Sequence, residues 1–163
     1  MQRTRTYSWQ DPLATAEAGR GLAGIDFLRA VASGELPPPP MGLTLGLGFE
    51  TIEKGRVVFT AEPAEYHYNP IGVVHAGLAM TLVDSAIGCA VHSMLPAGSG
   101  YTSLETKVNF VRPITIETGP LRCDATVLHL GGRTATGEAR LLDGAGKLYA
   151  HGTSTCLILR GPD

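Results

Sequence analysis

An acidic side chain stands in the middle of the longest apolar stretch of this sequence. Asp84 lies within residues 76–95, where most of the other side chains are apolar or small. Burying an unpaired carboxylate costs several kcal/mol, so Asp84 requires either a hydrogen-bonding partner or a chemical role. In the first case it would cap a neighbouring loop or face solvent. In the second it would be a general base or a nucleophile, and the pattern favours this second interpretation.

A polar loop leads into the same stretch. It carries Asn69 and His75, followed by the small residues Ala76 and Gly77 at the predicted start of a helix. The first N–H groups of a helix have no partner inside it and lie at the positive end of its dipole. Because small side chains let a ligand approach these donors, the arrangement suits stabilisation of a developing oxyanion. On pattern alone, His75 is typical of a capping or positioning residue and Asn69 of a turn.

The spacing of these residues predicts more than one subunit. Ala76 and Asp84 are eight residues apart, which on one helix separates them by about 12 Å. A single reacting carbonyl needs contacts of about 3 Å and cannot touch both residues. If both act in one reaction, they come from different subunits of a dimer, and the site lies across the interface.

The N-terminal third of the chain has weak and mixed patterns. Residues 1–21 are expected to be poorly ordered, a short helix is predicted over 22–33, and the four prolines at 37–40 predict a stiff extended linker. Residues 43–61 are strand-like, with a hairpin turn at 53–55.

The central helix and the strands after it predict the architecture. The helix expected over residues 76–95 is apolar on nearly every side, which is typical of a helix surrounded by protein. A curved antiparallel sheet wrapped around that helix accounts for its apolar surface, and this is an α+β fold. The later strands are predicted at residues 103–111, 121–130, 135–142 and 148–159, with turns at 131–132 and 143–144.

Composition narrows the classes of function. The 163 residues suit one domain, and 13 basic against 15 acidic residues without a basic stripe argue against a nucleic-acid groove. Three cysteines and five histidines show no metal-ligand or disulfide spacing, so we expect no metal, no cofactor and a reducing compartment. The N-terminus does not resemble a signal peptide. The apolar run at 71–95 is interrupted by His75, Asp84 and His92, so a cytoplasmic protein without a membrane span is expected.

Several spaced residues together resemble the hot-dog-fold thioesterases of the phenylacetate-degradation (PaaI-like) branch. That branch shows Asn-x-x-Gly-x-x-His-Gly-Gly, an aspartate nine residues after the histidine, and later a strand ending in Arg-Pro. The resemblance covers about residues 43–160, which predicts a hot-dog domain over 43–163 and an N-terminal extension over 1–42 whose role is unassigned. The matching residues are Asn69, Gly72, His75, Gly77, Asp84, Arg112 and Pro113, with Ala76 where glycine is usual.

The resemblance implies a reaction and a role for each residue. Asp84 would be the general base or nucleophile in hydrolysis of an acyl-CoA thioester, and the backbone amide of Ala76 would polarise the thioester carbonyl. Asn69 and His75 would position water or shape the oxyanion site, and Ser103 would help to hold the water. Substrate contacts are implied for Gly77, Arg112, Gly132 and Arg133, although the two arginines are equally typical of solvated surface charge.

The resemblance also implies a homodimer, or a homotetramer built as a dimer of dimers. The methyl group of Ala76 would narrow the acyl pocket or weaken the enzyme, but it leaves the backbone donor in place. Two other functions use this fold: a non-catalytic acyl-CoA binding module and a dehydratase or hydratase acting on acyl thioesters. Asp84 argues against the binding module. The position of Asp84 on the same helix, nine residues after His75, argues against the dehydratase.

Overall fold

Two helices form within the first 33 residues, the first with a side-chain cap and the second where apolar periodicity predicts one. The computed structural model describes residues 1–160, in which α1 spans Pro12–Gly19 and α2 spans Gly24–Ser33. The Asp11 side chain accepts a hydrogen bond from the Leu13 N–H at 2.9 Å, and Pro12 occupies the first helical turn. Because an aspartate cap followed by proline favours helix initiation, the expectation that residues 1–21 are poorly ordered is wrong for α1. The helix predicted over 22–33 is confirmed as α2.

A third helix replaces part of the predicted linker and strand. α3 spans Pro40–Leu45 and ends at Gly46, whose φ of 69° is left-handed. Proline is well tolerated at the first helical position, so the run of prolines stays extended only as far as Pro39. The strand predicted from residue 43 therefore begins later, and the predicted domain boundary between residues 42 and 43 lies inside α3.

The sheet has six antiparallel strands. They are β1 (Leu47–Glu53), β2 (Arg56–Ala61), β3 (Gly100–Phe110), β4 (Leu121–Leu130), β5 (Thr134–Asp143) and β6 (Leu148–Leu159). Their spatial order is β1-β2-β4-β5-β6-β3, which leaves β1 and β3 at the two edges. The predicted hairpin turn after β1 is confirmed, with Gly55 supplying a φ of 80°.

The central helix, α4, spans Ala76–His92 and packs on the face of the sheet. It is shorter than predicted because the N–H groups of Met94 and Leu95 donate to carbonyls three residues earlier, which forms a tighter turn. Small residues on β5 and β6 let it approach closely. A Cβ at Gly152 would lie 2.9 Å from the Val83 side chain of α4, and one at Gly137 would lie 2.7 Å from that of Ile87. The α+β prediction of a sheet around a buried helix is confirmed, and none of the helices in residues 1–160 is both long and apolar enough to cross a membrane.

Candidate active site

Asp84 projects from the middle of α4 toward the edge strand β3. Its Oδ1 accepts hydrogen bonds from the Ser103 hydroxyl at 2.8 Å and from the Thr106 hydroxyl at 2.8 Å. The residue is half-buried, so the carboxylate is held on one side by two donors while it stays accessible. The partner that a carboxylate in an apolar helix requires is therefore present, and it is supplied by β3.

A β-bulge brings both hydroxyls to the same carboxylate oxygen. Residues three apart on a regular strand point to opposite faces, so Ser103 and Thr106 would not both reach Asp84. The register between β3 and β6 shifts between Ser103 and Glu105, which makes Leu104 the extra residue. Bulges commonly redirect side chains in this way. Sequence reasoning identified Ser103 but missed Thr106, because the alternation that would reveal it is broken at the bulge.

A buried serine supports the Thr106 hydroxyl. Ser154 lies opposite Thr106 in the β3–β6 register, and the two side-chain oxygens are 3.1 Å apart. The Ser154 hydroxyl is also 2.7 Å from the Glu105 carbonyl oxygen, and the residue is only 1% exposed. Ser154 thus limits the rotation of the Thr106 side chain, which in turn restrains the Asp84 carboxylate.

Asp84 lines a cleft of about 590 Å³ between α4, β3 and the N-terminal helices. Tyr101 lines the same cleft, and its hydroxyl lies over Gly88, where a Cβ would approach it to 2.4 Å. Burial raises the pKa of the Tyr101 phenol, and it raises the pKa of the Cys89 thiol to about 12. Cys89 is therefore protonated near neutral pH and is not a competing nucleophile. Asp84 remains the candidate reactive group of this cleft.

The loop before α4 presents one free backbone donor. His75 caps the helix, and its Nδ1 accepts the Gly77 N–H at 2.9 Å. Within residues 1–160, the Ala76 N–H has no acceptor. Asn69 forms a turn, because its Oδ1 accepts the N–H groups of Ile71 at 3.1 Å and Val73 at 3.4 Å. Of the predicted oxyanion-site residues, Ala76 thus has the available donor, while His75 and Asn69 hold the backbone around it.

Ala76 lies in a second cleft, of about 300 Å³, which it shares with Asn69 and Arg112. Asp84 does not line this cleft, and Ala76 does not line the cleft of Asp84. The two halves of the predicted site are thus separated within one chain, in agreement with the spacing of eight residues along α4.

The other predicted substrate contacts lie elsewhere. Gly132 and Arg133 belong to the turn between β4 and β5, where the Gly132 carbonyl accepts the Arg160 guanidinium at 2.9 Å. This turn is next to the C-terminal end of α4, near Leu95 and Gly98. Within one chain the structure therefore does not bring them together with Arg112, which follows the far end of β3. Among the described residues, no cluster of three or more His, Cys, Asp and Glu side chains could hold a metal ion.

Replacing Thr106 with valine is expected to weaken the restraint on Asp84 without changing the shape of the strand. One hydrogen bond to a charged group contributes about 1.5–3 kcal/mol. For the thioester hydrolysis that the sequence implies, kcat is therefore expected to fall by about 10- to 100-fold. KM is expected to change little, because Thr106 acts through Asp84. Steady-state kinetics measures kcat and KM separately and so tests this expectation. Thr106→Ser should recover most of the rate, and Thr102→Val, on the exposed side of β3, should leave it unchanged. A fall in kcat together with a rise in KM that serine does not restore would show a merely structural role.

His67 connects the loop to the N-terminal helices. The buried side chain accepts the Ala64 N–H on Nδ1 at 3.1 Å, so its proton is on Nε2, which donates to the Leu45 carbonyl at 3.1 Å. The His67 carbonyl accepts the N–H of His75 at 2.8 Å. The neutral ring therefore links the end of α3 to the cap of α4.

Acidification is expected to weaken this link. Burial lowers the pKa of His67 from its ordinary value of 6.5, so the unfolded chain binds a proton more readily than the folded one. The contribution of His67 to the free energy of unfolding is fully present above pH 6.5. It is lost as the pH drops through the pKa of the folded state, by at most about 1.4 kcal/mol per pH unit for one histidine. Urea unfolding above pH 6.5 and below the folded pKa of His67 measures this loss of unfolding free energy. The variant His67→Gln should lose less than the wild type. Burial also lowers the pKa of His92, so part of the fall should remain; an undiminished fall in the variant contradicts the prediction.

Sequence comparisons with known proteins give a family match and named relatives. The family model of the thioesterase superfamily matches residues 71–150. A Saccharolobus solfataricus protein named "Putative esterase SSO2140" is 32% identical over 109 residues. The match covers 67% of this chain and 76% of that protein. The 1,4-dihydroxy-2-naphthoyl-CoA hydrolase of Listeria monocytogenes is 27% identical over 120 residues, covering 72% of this chain and 94% of that protein.

The PaaI protein of the E. coli phenylacetic acid degradation operon has the same fold. Its structure superposes with a TM-score of 0.73 at 22% identity, and the match covers 86% of this chain and 97% of that one. The predicted hot-dog architecture is therefore confirmed. A Ralstonia eutropha structure described as a thioesterase and phenylacetic acid degradation-related protein is 26% identical with a TM-score of 0.72, covering 79% of this chain and 97% of that one, and it bears out the PaaI-like resemblance. On the sequence match and the shared fold together, the chain belongs to the thioesterase superfamily.

Proposed function

We propose that the protein hydrolyses an acyl-CoA thioester to a free acid and coenzyme A. The observation that carries this proposal is the Asp84 carboxylate, which two β3 hydroxyls hold at the wall of a largely apolar cleft. The family supports hydrolysis of a thioester. A relative that is named as a hydrolase of a CoA thioester supports coenzyme A as the leaving group.

In this mechanism Asp84 acts on a water molecule. Its Oδ1 is occupied by Ser103 and Thr106, whereas its Oδ2 accepts no hydrogen bond from residues 1–160. Oδ2 takes a proton from water as the water oxygen bonds to the thioester carbonyl carbon. The resulting oxyanion accepts the N–H of Ala76 from a second copy of the chain, where the helix dipole adds to its stabilisation. Collapse of this tetrahedral intermediate breaks the C–S bond, and the thiolate of coenzyme A takes the proton from Oδ2 of Asp84.

The nucleophilic alternative gives a different isotope distribution. If Asp84 attacked directly, an anhydride between the acyl group and the aspartate would form, and water would then cleave it. A single turnover in ¹⁸O-labelled water followed by mass spectrometry of the protein separates the two. Label in Asp84 indicates attack by the aspartate followed by cleavage at the aspartyl carbon. Label only in the released acid indicates attack by water when hydroxylamine also traps no acyl group during turnover, because hydroxylamine would intercept an anhydride that water cleaves at the acyl carbon.

The proposed site is shared between two copies of the chain. β3 is an 11-residue edge strand, and among the described strands it pairs only with β6. Long, open edges are normally shielded, yet Leu104 is 57% exposed, Phe110 is 49% exposed and Met80 of α4 is also exposed. Antiparallel pairing of two β3 strands would cover these side chains and place the two α4 helices side by side. Ala76 would then approach the partner's Asp84, in a homodimer or in a tetramer of two such dimers.

Coenzyme A release from a panel of acyl-CoAs tests the function. We expect the wild-type protein to turn over at least one member at a rate proportional to enzyme concentration. Binding of acyl-CoA without release of coenzyme A across the panel would contradict hydrolysis and would favour the non-catalytic binding module. Formation of a hydrated or dehydrated acyl-CoA would instead favour the hydratase.

A further inference from the structure

The cleft beside Asp84 has walls from three parts of the chain. One wall is Asp84 itself with Ser85, Cys89 and Tyr101, and a second is formed by apolar side chains of β1 and β2. The remaining wall comes from α1, α2, α3 and the proline segment between the last two. Residues 12–42 thus contribute the largest share of the lining, and they lie outside the region that the family model matches.

The N-terminal wall is firmly attached to the rest of the protein. In α2, Leu28 and Val31 are buried, and Leu28 is part of the main hydrophobic core. The Gly24 N–H donates to the Leu95 carbonyl at 3.0 Å, and a Cβ on Gly24 would lie 1.8 Å from the His92 carbonyl oxygen. Only glycine allows this close packing of α2 against the end of α4, which fixes the wall relative to Asp84.

The lining determines what the cleft can accept. Among residues 1–160, Asp84 is the only charged side chain in the lining, and no lysine, arginine or histidine contributes to it. Three phenylalanines contribute to the lining, and the rings of Phe49 and Phe59 lie 4.3 Å apart between centroids. A second carboxylate on the ligand would find no cation here and would be repelled by Asp84. The volume of about 590 Å³ lies in the range that encloses small organic ligands.

We propose that residues 12–42 complete the acyl pocket of this enzyme, that the pocket selects uncharged hydrophobic acyl groups, and that its N-terminal wall limits their length. This inference rests on the proposed function. The carboxylate at one wall reaches the thioester carbonyl while the acyl group extends toward α1 and α2. Each buried methylene group then raises kcat/KM by up to about fourfold until the pocket is filled.

Two matched tryptophan substitutions on α1 test this proposal. Ala16 lines the cleft and Ala18 does not, and both are exposed positions of the same helix where a larger side chain does not disturb the core. The assay is kcat/KM for straight-chain acyl-CoAs from acetyl to hexadecanoyl, with phenylacetyl-CoA as the aromatic member and glutaryl-CoA as the anionic one. For the wild type we expect kcat/KM to rise with chain length to a plateau, and glutaryl-CoA to be at least about tenfold poorer than the uncharged acyl-CoA of equal length.

Ala16→Trp is expected to move the plateau to a chain at least about two carbons shorter and to leave acetyl-CoA hydrolysis within about twofold. Ala18→Trp should reproduce the wild-type profile. An unchanged profile in Ala16→Trp, or a preference for glutaryl-CoA, would overturn the pocket assignment while hydrolysis itself stands. A wild type that hydrolyses no member of the series would overturn the proposed function and the pocket with it, so the two failures are distinguishable.

Discussion

Replacing Asp84 with asparagine is expected to lower kcat for coenzyme A release by at least about a hundredfold. Asparagine has the shape of aspartate, and its carbonyl oxygen can still accept the hydroxyls of Ser103 and Thr106. It cannot take a proton from water or attack a thioester near neutral pH. Since the change affects the reacting step more than substrate binding, KM should change little.

Asp143→Asn is the matched control for this substitution. Asp143 is the last residue of β5, its Oδ1 accepts the N–H groups of Ala145 and Lys147 at 2.9 Å each, and it lines neither of the two candidate clefts. Activity of this variant should stay within about twofold of the wild type. Circular dichroism and thermal unfolding confirm folding of both variants. An Asp84→Asn protein that keeps more than a tenth of its activity would exclude Asp84 as base or nucleophile.

The central helix and the sheet were predictable because their signals are local. Apolar residues on every side of α4 require protein around it, and the turn at Gly55 and the strands β4 and β6 have clear boundaries. The position of Asp84 in an apolar helix likewise identifies an unusual carboxylate without any knowledge of its neighbours. These features follow from the periodicity of apolar residues and from the cost of burying a charge. Both can be assessed from a single sequence without knowledge of tertiary contacts.

The environment of Asp84 could not be predicted in the same way. Thr106 reaches the carboxylate only because β3 has a bulge at Leu104, and the bulge is defined by pairing with β6, about 50 residues further along the chain. The cleft wall formed by α2 depends on the contact between Gly24 and the end of α4. Both are tertiary features. By contrast, α1 and α3 have local signals in Asp11, Pro12 and Pro40, which weak apolar periodicity concealed.

Replacing Ala76 with proline is expected to remove the proposed oxyanion donor and preserve the helix. Proline lacks the N–H but is favoured at the first helical position. His75 already has φ −61° and ψ 132°, which is the conformation that a residue before proline prefers. Loss of one oxyanion donor typically costs about 100- to 1,000-fold in kcat. Ala76→Ser keeps the N–H and should stay within about tenfold of the wild type. Full activity of the proline variant would contradict the role of Ala76.

Mixed dimers of the two inactive variants then test whether the site is shared. A dimer with one Asp84→Asn chain and one Ala76→Pro chain has one site with both defects and one site with neither, if each site combines Ala76 with the partner's Asp84. Co-expressed chains with different affinity tags yield this dimer after two purification steps. It should recover about half of the wild-type activity, because a symmetric interface forms two equivalent sites. If each site lies within one chain, both sites carry a defect and the mixed dimer stays as inactive as its parents.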